Sequence, residues 1–326
     1  SSVAFLAAQS QRAGARVILF DKDQALRMAI TAMGGRYTAI RAGHPTGLNP
    51  LLTERGPRGE AWLMDWLARL VERDDDRLTP HQAEALKSAV RQNGQAPDEL
   101  RTFAHFEDLI GDVGDNRALA MKLAEWGPAG RYNWVFGEAD QPVIDLSAGI
   151  TGIDLTEILS MARERTAVLS YIFRRIERKI EDKRPTIIII DEAWKALDNS
   201  YFAGRIENWL VTARKQNTVV VMMTQFAHQL NASAHGRTLL QALPTKMLLP
   251  NKEASVSDYD GLSLNQKELE ILMGVNPGSR VALLRSDDGS HVIDTDLSAL
   301  GPLLTILGGM KAGEALVGAD YRTRPD

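Results

Sequence analysis

Thr186-Ile187-Ile188-Ile189-Ile190-Asp191-Glu192-Ala193-Trp194 is the stretch on which the reading of this chain turns. Four consecutive isoleucines make a segment too apolar to lie on a surface. β-branched residues in an unbroken run predict a strand covered on both faces, as in parallel sheets. Two adjacent carboxylates then emerge at its C-terminal end. In open α/β sheets that end is where ligands bind. An Asp there suits the Mg²⁺ shell of a P-loop ATPase, and a neighbouring Glu suits a general base that polarises water. The bland alternative is a pair that caps a strand and opens a turn, so the context has to decide.

Downstream, Val219-Val220-Val221-Met222-Met223 repeats the buried-strand pattern and ends in Thr224-Gln225. Residues 201 to 216 between the two runs read as a crossover helix. A polar residue at that second tip, Gln225, can sense a γ-phosphate and orient water. It can also be an ordinary turn, but beside Asp191 and Glu192 the sensor reading is preferred. Arg214-Lys215-Gln216-Asn217 precedes the same strand. Arg214 reads either as an arginine finger acting on a neighbouring subunit or as a cation at a helix C-terminus. Arg280 and Arg285, flanking a late strand, are alternative fingers.

Upstream, residues 2 to 12 predict a helix, and Val17-Ile18-Leu19-Phe20 a buried strand ending in Asp21-Lys22-Asp23. A helix over about 24 to 33 stops at Gly34-Gly35. Tyr37 to Ile40 reads as a short strand and Thr46-Gly47-Leu48-Asn49-Pro50 as a turn. From about 57 to 150 the texture becomes helical, with Ala61 to Val71, His81 to Arg91 and Asn116 to Trp126 amphipathic. Thr79-Pro80 supplies a cap and a first-turn proline. A strand is expected at Pro142 to Leu146. Asp154-Leu155-Thr156-Glu157 fits a capping box, and Val168, Ile172, Ile176 and Ile180 mark the buried stripe of the next helix. Lys246 to Leu249 reads as a further strand, and Val281 to Leu284 with His291 to Leu297 as a hairpin turning at Asp287-Asp288-Gly289. Trp194 is expected behind the acidic turn, with Trp126 and Trp134 anchoring the helical segment.

The alternation predicts an α/β fold of RecA-like P-loop type, a mainly parallel sheet flanked by helices with an all-α insertion. The expected domains are 1–56 as the first part of the ATPase domain, 57–150 as the insertion, 151–312 as the second part and 313–326 as a tail. With 326 residues the chain can bury a sizeable core. It has no cysteine, which excludes disulfides, thiolate metal sites and cysteine nucleophiles. The formal net charge of −4 gives no global attraction to nucleic acid. Its six histidines lack metal-ligand spacing. No apolar run approaches the ~20 residues that span a bilayer.

Nothing in the sequence matches the Gly-rich loop with Lys and Ser or Thr that cradles phosphates. A helix like that of residues 1 to 12, then a strand like the one to Asp21, belongs directly after such a loop. The loop is therefore expected upstream of Ser1. Ser1 then stands either at the Mg²⁺-binding hydroxyl or beside it, the latter being preferred. ATP and Mg²⁺ are the cofactors this reading implies.

Several tetrapeptides in order resemble one family, the type IV secretion ATPases of the VirB-four, TrbE and CagE kind. They include Phe20-Asp21-Lys22-Asp23, Gly34-Gly35-Arg36-Tyr37, Gly47-Leu48-Asn49-Pro50 and Trp134-Val135-Phe136. Gly152-Ile153-Asp154-Leu155-Thr156, Asp191-Glu192-Ala193-Trp194-Lys195, Arg214-Lys215-Gln216-Asn217, Thr224-Gln225, Leu249-Pro250-Asn251 and Ser279-Arg280 continue it. Leu284-Arg285-Ser286-Asp287 departs from the family's Lys-Gln-Gly run, and Leu307-Gly308-Gly309 matches its Leu-Ser-Gly only approximately.

The resemblance implies a hexamer-forming ATPase on the cytoplasmic face of the bacterial inner membrane that energises pilus assembly and transfer. Inner-membrane secretion-complex subunits, pilin and a homo-oligomer are the partners it implies. In that family's pattern Asp191 is the Walker B magnesium residue, Glu192 the catalytic base and Gln225 the sensor. Two other readings compete: a DNA-translocating motor of the FtsK or HerA type, which would need a basic pore lining, and a nucleotide-binding scaffold without turnover. The sequence leaves DNA contact open.

Overall fold

A computed structural model describes residues 2–111, 114–140, 142–192, 200–224, 235–309, 314–316 and 318. The chain divides into two compact units. One takes residues 1–37, 146–154 and 178–326, and the other residues 38–145 and 155–177.

The first unit is built on a sheet. Its strands are β1 (Arg16–Asp21), β2 (Arg36–Ala39), β3 (Ile150–Asp154), β4 (Thr186–Ile190) and β5 (Thr218–Met222), in the order β2-β3-β1-β4-β5. β1 pairs in parallel with β3 and β4, and β4 with β5. The helix Ser2–Arg12 precedes β1, and Ala162–Ile180 leads into β4. β1 is buried at every position because it is flanked by strands on both sides and covered on both faces. Val17, Leu19, Ile189 and Ile150 pack with Ala4, Ala7, Ala29 and Ile30 into one core cluster.

Arg16, 3% exposed, opens β1, and its Nη2 donates to Asp182 Oδ2 at 2.5 Å. Its Nη1 donates to the Lys179 carbonyl at 3.2 Å, so the guanidinium ties the end of one helix to the start of the strand. The hydrogen bond from Arg16 holds the Asp182 carboxyl below its ordinary 3.8. A carboxylate depressed in the folded state stabilises the fold above its unfolded pKa, and that stability is lost as pH falls through the folded value. Asp182→Asn should therefore flatten the acid limb of a melting-temperature profile below about pH 4, leaving the neutral limb nearly parallel to that of the parent protein.

Three features differ from the sequence expectation. β5 lies at the end of the strand order, and Val219 is 58% exposed, so it is an edge strand among the described residues and not a central one. Residues 142 to 146 do not form a strand. The Val143 amide donates to the Thr46 carbonyl at 2.8 Å, and the strand comes later, at Ile150–Asp154. Asp154 closes that strand and does not cap a helix. The Glu157 carboxylate accepts instead from the Ala42 amide at 2.8 Å, and the helix begins only at Ala162.

A separate antiparallel sheet joins β6 (Lys246–Leu248), β7 (Val281–Ser286) and β8 (Gly289–Asp294). β7 and β8 form the expected hairpin, while β6 belongs here and not to the parallel sheet.

The second unit is helical, with Gly56–Val71, Pro80–Gln95, Phe103–Ile110 and Asn116–Ala124 as its main segments together with part of Ala162–Ile180. Gly56–Val71 carries Pro57 in its first turn, and Leu63, Trp66, Leu67, Leu70 and Val71 fall on its buried face at helical spacing. Thr79 closes a full capping box with Gln82 at the start of the next helix. Trp66 lies at the centre. It stacks on Trp62, meets Phe103 and Phe136 edge-on, and donates its indole N–H to Ser170 Oγ at 3.0 Å. Trp126, 1% exposed, stacks on Tyr132 with ring centroids 4.5 Å apart. No helix among the described residues is long and apolar enough to cross a membrane.

Candidate active site

Strand order makes the place for a ligand. From β1 the chain leaves towards β2 on one side, and from β4 it leaves towards β5 on the other. The carboxyl ends of β1 and β4 therefore flank a topological switch point, where an open crevice receives ligands in sheets of this kind. Asp21 ends β1, and Asp191 comes directly after β4.

Register brings the acidic groups to one level. Phe20 pairs with Ile190, and the Asp191 amide donates to the Phe20 carbonyl at 2.9 Å. Asp21 pairs with Asp154 on the other side. Carboxylates thus end three adjacent strands, two of which, Asp21 and Asp154, the sequence alone did not single out. Asp21 looks like an ordinary polar strand end and Asp154 like a helix cap; the signal for Asp21 was the repeat of one pattern, an apolar run closing in Asp, at Phe20-Asp21 and Ile190-Asp191.

The backbone turns sharply behind them. Glu192 adopts φ +48°, a left-handed conformation that costs a β-carbon-bearing residue ~1–2 kcal/mol. Its amide donates to Asp191 Oδ1 at 3.0 Å, which fixes the first carboxylate against the turn. Glu192 is 7% exposed and so faces the interior. After β1, Asp23 and Gln24 are also left-handed, and Lys22 Nζ lies 3.1 Å from Asp23 Oδ2. Burial raises the Asp191 pKa above its ordinary value; the Glu192 and Asp23 charges act in the same direction, while the Glu192 amide and Lys22 oppose it. Burial also pushes Asp21 up to about 7, against the hydrogen bonds it accepts from Leu26 and Tyr37.

These donors fit Mg²⁺. They are hard oxygens, as that ion demands. Asp21 Oδ1 is buried with no hydrogen-bond partner among the described residues, an arrangement that favours a nearby cation. No group of three or more His, Cys, Asp or Glu side chains among the described residues is spaced to cage a metal ion directly. Mg²⁺ is held by one or two carboxylates that act with retained waters and substrate phosphates.

The structure treats the other residues singled out from the sequence differently. The Met223 amide donates to the Ile190 carbonyl at 2.9 Å, so the tip of β5 with Thr224 reaches the level of the acidic pair. Gln225, Ser1 and Trp194 lie outside the described residues. Arg214 sits exposed in the turn Ala213–Gln216 before β5. It is at the N-terminal end of the strands, opposite the end that carries Asp191 and about 16 Å away by strand rise, so it does not join its own chain's carboxylates. Arg280 is paired with Asp296 at 2.5 Å, and Arg285 donates to the Leu262 and Ser263 carbonyls. Both alternative fingers are thus engaged within the chain. A cavity of about 790 Å³ lies in the helical unit, where Trp126, Trp134 and Phe136 line it and Glu138 is the one charged lining residue among those described.

A parallel sheet with this order, helices flanking it and a carboxylate pair at the switch point define a RecA-like ATPase fold. Solved structures agree. VirB4 of Thermoanaerobacter pseudethanolicus superposes with a TM-score of 0.65 at 17% identity, over 90% of this chain and 85% of that one. The conjugative coupling protein TrwB superposes with a TM-score of 0.56 at 14% identity, over 90% and 81%.

Sequence relatives point the same way. The chain is 29% identical over 330 residues to the type IV secretion system protein VirB4 of Bartonella henselae, covering 99% of this chain. It is 31% identical over 312 residues to VirB4 of Brucella abortus, covering 92%, and 31% identical over 304 residues to PtlC of Bordetella pertussis, covering 91%. The chain spans 42%, 37% and 37% of the length of these relatives. No family model matches it. Over nearly its whole length the chain is similar to type IV secretion proteins of the VirB4 kind.

Proposed function

We propose that this chain is the motor part of a type IV secretion ATPase, hydrolysing ATP to drive pilus assembly and substrate transfer. The observation that carries the reading is the Asp191–Glu192 pair at the crevice between β1 and β4. A TrwB structure with ADP and Mg²⁺ supports nucleotide and magnesium binding on this fold.

In this reading Asp191 would hold hydrated Mg²⁺, which would supply positive charge against the phosphates. Glu192 takes the proton of the attacking water, a role supported by its backbone being fixed on a strained turn beside Asp191. Gln225, next after Thr224 in the chain, orients that water and senses the γ-phosphate. Ser1 is a nucleotide-binding residue in this reading. The segment 57–150 serves as an insertion between the ATPase parts 1–56 and 151–312, with 313–326 as a tail. Homo-hexamers on the cytoplasmic face of the inner membrane, in contact with the secretion complex and pilin, complete the proposal.

Arg214 enters the site of a neighbouring subunit. Its exposed position at the far end of the strands supports action in trans and none in cis. Mixing Arg214→Ala subunits with Glu192→Gln subunits provides the test. An interface with an Arg214-bearing edge opposite an intact Glu192 should restore ATPase activity, to roughly a quarter of the parent rate for random mixing at equal amounts, while each variant alone stays about 10³-fold down. Mixtures no more active than the separate variants would remove Arg214 from the mechanism.

A further inference from the structure

We propose that Asp21 is a third working carboxylate of the nucleotide site, accepting a hydrogen bond from the water shell of the divalent cation while Tyr37 and Leu26 hold it in place. The inference rests on the nucleotide-site reading above and adds a residue to it.

The geometry is asymmetric. Asp21 is 1% exposed, and its two carboxylate oxygens have different fates. Oδ2 accepts from the Tyr37 hydroxyl at 2.7 Å and from the Leu26 amide at 2.9 Å. Oδ1 has no partner among the described residues. A carboxyl group needed only to pin the turn from Lys22 to Leu26 could do so with the oxygen already engaged. The other oxygen belongs to a strand end flanked by Asp154 in one direction and the Asp191 backbone in the other. A buried acceptor left open costs stability unless something donates to it, and cation-bound water is a strong donor that would also offset the neighbouring negative charges.

Tyr37 has a defined part in this arrangement. It is 5% exposed, and its ring lies against β3 at Gly152, where an added Cβ would come within 2.5 Å of Tyr37 Cδ2 and of Ile30 Cδ1. Glycine at 152 therefore lets the ring approach closely enough for its hydroxyl to reach Asp21. That links Gly152, Tyr37 and Asp21, from three separate segments, to one oxygen orientation.

The experiment measures binding of a fluorescent ADP analogue to the full-length protein as Mg²⁺ is titrated, with an EDTA-treated sample as reference. Asp21→Asn keeps the shape and the acceptor for Leu26 and Tyr37 but removes the charge. It should raise the Mg²⁺ midpoint about tenfold while leaving affinity in EDTA within twofold of the parent. Tyr37→Phe, which loosens Oδ2 and keeps the charge, should raise the midpoint about threefold. It serves as the deciding variant if Asp21→Asn does not fold. Unchanged midpoints in the variants, with a parent protein that needs Mg²⁺, would confine Asp21 to shaping the turn. A parent protein whose nucleotide binding ignores Mg²⁺ would overturn the nucleotide-site reading itself, and this inference with it.

Discussion

Glu192→Gln leaves nucleotide binding intact and lowers ATP turnover about 10²–10⁴-fold, the range typical for loss of a general base. The side chain keeps its length and its hydrogen-bonding oxygen, so the turn behind β4 retains its shape. What is lost is the group that accepts the proton from the attacking water. The Glu192 backbone is held at φ +48° with its amide on Asp191 Oδ1, and nothing in that bond depends on the side-chain charge. Steady-state turnover measured beside equilibrium ATP binding separates the two effects in the full-length protein. A variant with full turnover would transfer the base role to another residue; one that cannot bind ATP would make Glu192 part of the binding site itself.

Trp66→Ala carries the largest expected stability effect, about 3–5 kcal/mol for loss of a large buried aromatic. Trp66 is 1% exposed. Its removal takes away the stack with Trp62 at 5.4 Å and the edge contacts with Phe103 and Phe136, and leaves Ser170 Oγ without the indole donor. Residues of four chain segments lose a shared partner, so the void cannot be closed by moving one side chain. Urea denaturation should show a transition displaced to lower denaturant. Phe103 sits at the side of the same cluster, and Phe103→Leu should cost less because leucine refills part of the space. Equal losses from both variants would mean that Trp66 is not the centre of this packing.

Much of the fold was legible because burial writes itself into sequence when a strand is covered on both faces. Ile187 to Ile190 and Val17 to Phe20 could hardly be anything else. Val168, Ile172, Ile176 and Ile180 carried the long helix for the same reason, and all four are buried. β3 was hidden by Thr151 and Gly152. Its glycine is there for the close approach of Ile30 and Tyr37, a tertiary requirement with no local signature. The helix Phe103–Ile110 was missed although Thr102 caps it and Phe103, Phe106 and Ile110 keep helical spacing, because eight residues give only two turns of that period. β6 was seen as a strand, but three residues of apolar run cannot say which sheet they join.

The candidate site divided along similar lines. Asp191 and Glu192 announced themselves by adjacency at the end of an isoleucine run. Asp21 did not, since a single carboxylate after a strand is common, and Asp154 read as a helix cap. Their meaning comes from the register that sets Asp154, Asp21 and Asp191 side by side, and register is a property of the assembled sheet. Arg214 was visible as a cation before β5, but its distance from its own carboxylates depends on strand direction.

The most direct test of the acidic crevice replaces Mg²⁺ with Fe²⁺ in the presence of ADP and adds ascorbate, so that radicals released at the bound cation cut nearby backbone. Mass spectrometry then maps the cuts. Nucleotide-dependent cleavage around residues 21–23 and 190–192 is the predicted result. Cleavage that spares both strand ends, or that is the same without nucleotide, would contradict a cation–nucleotide site between β1 and β4.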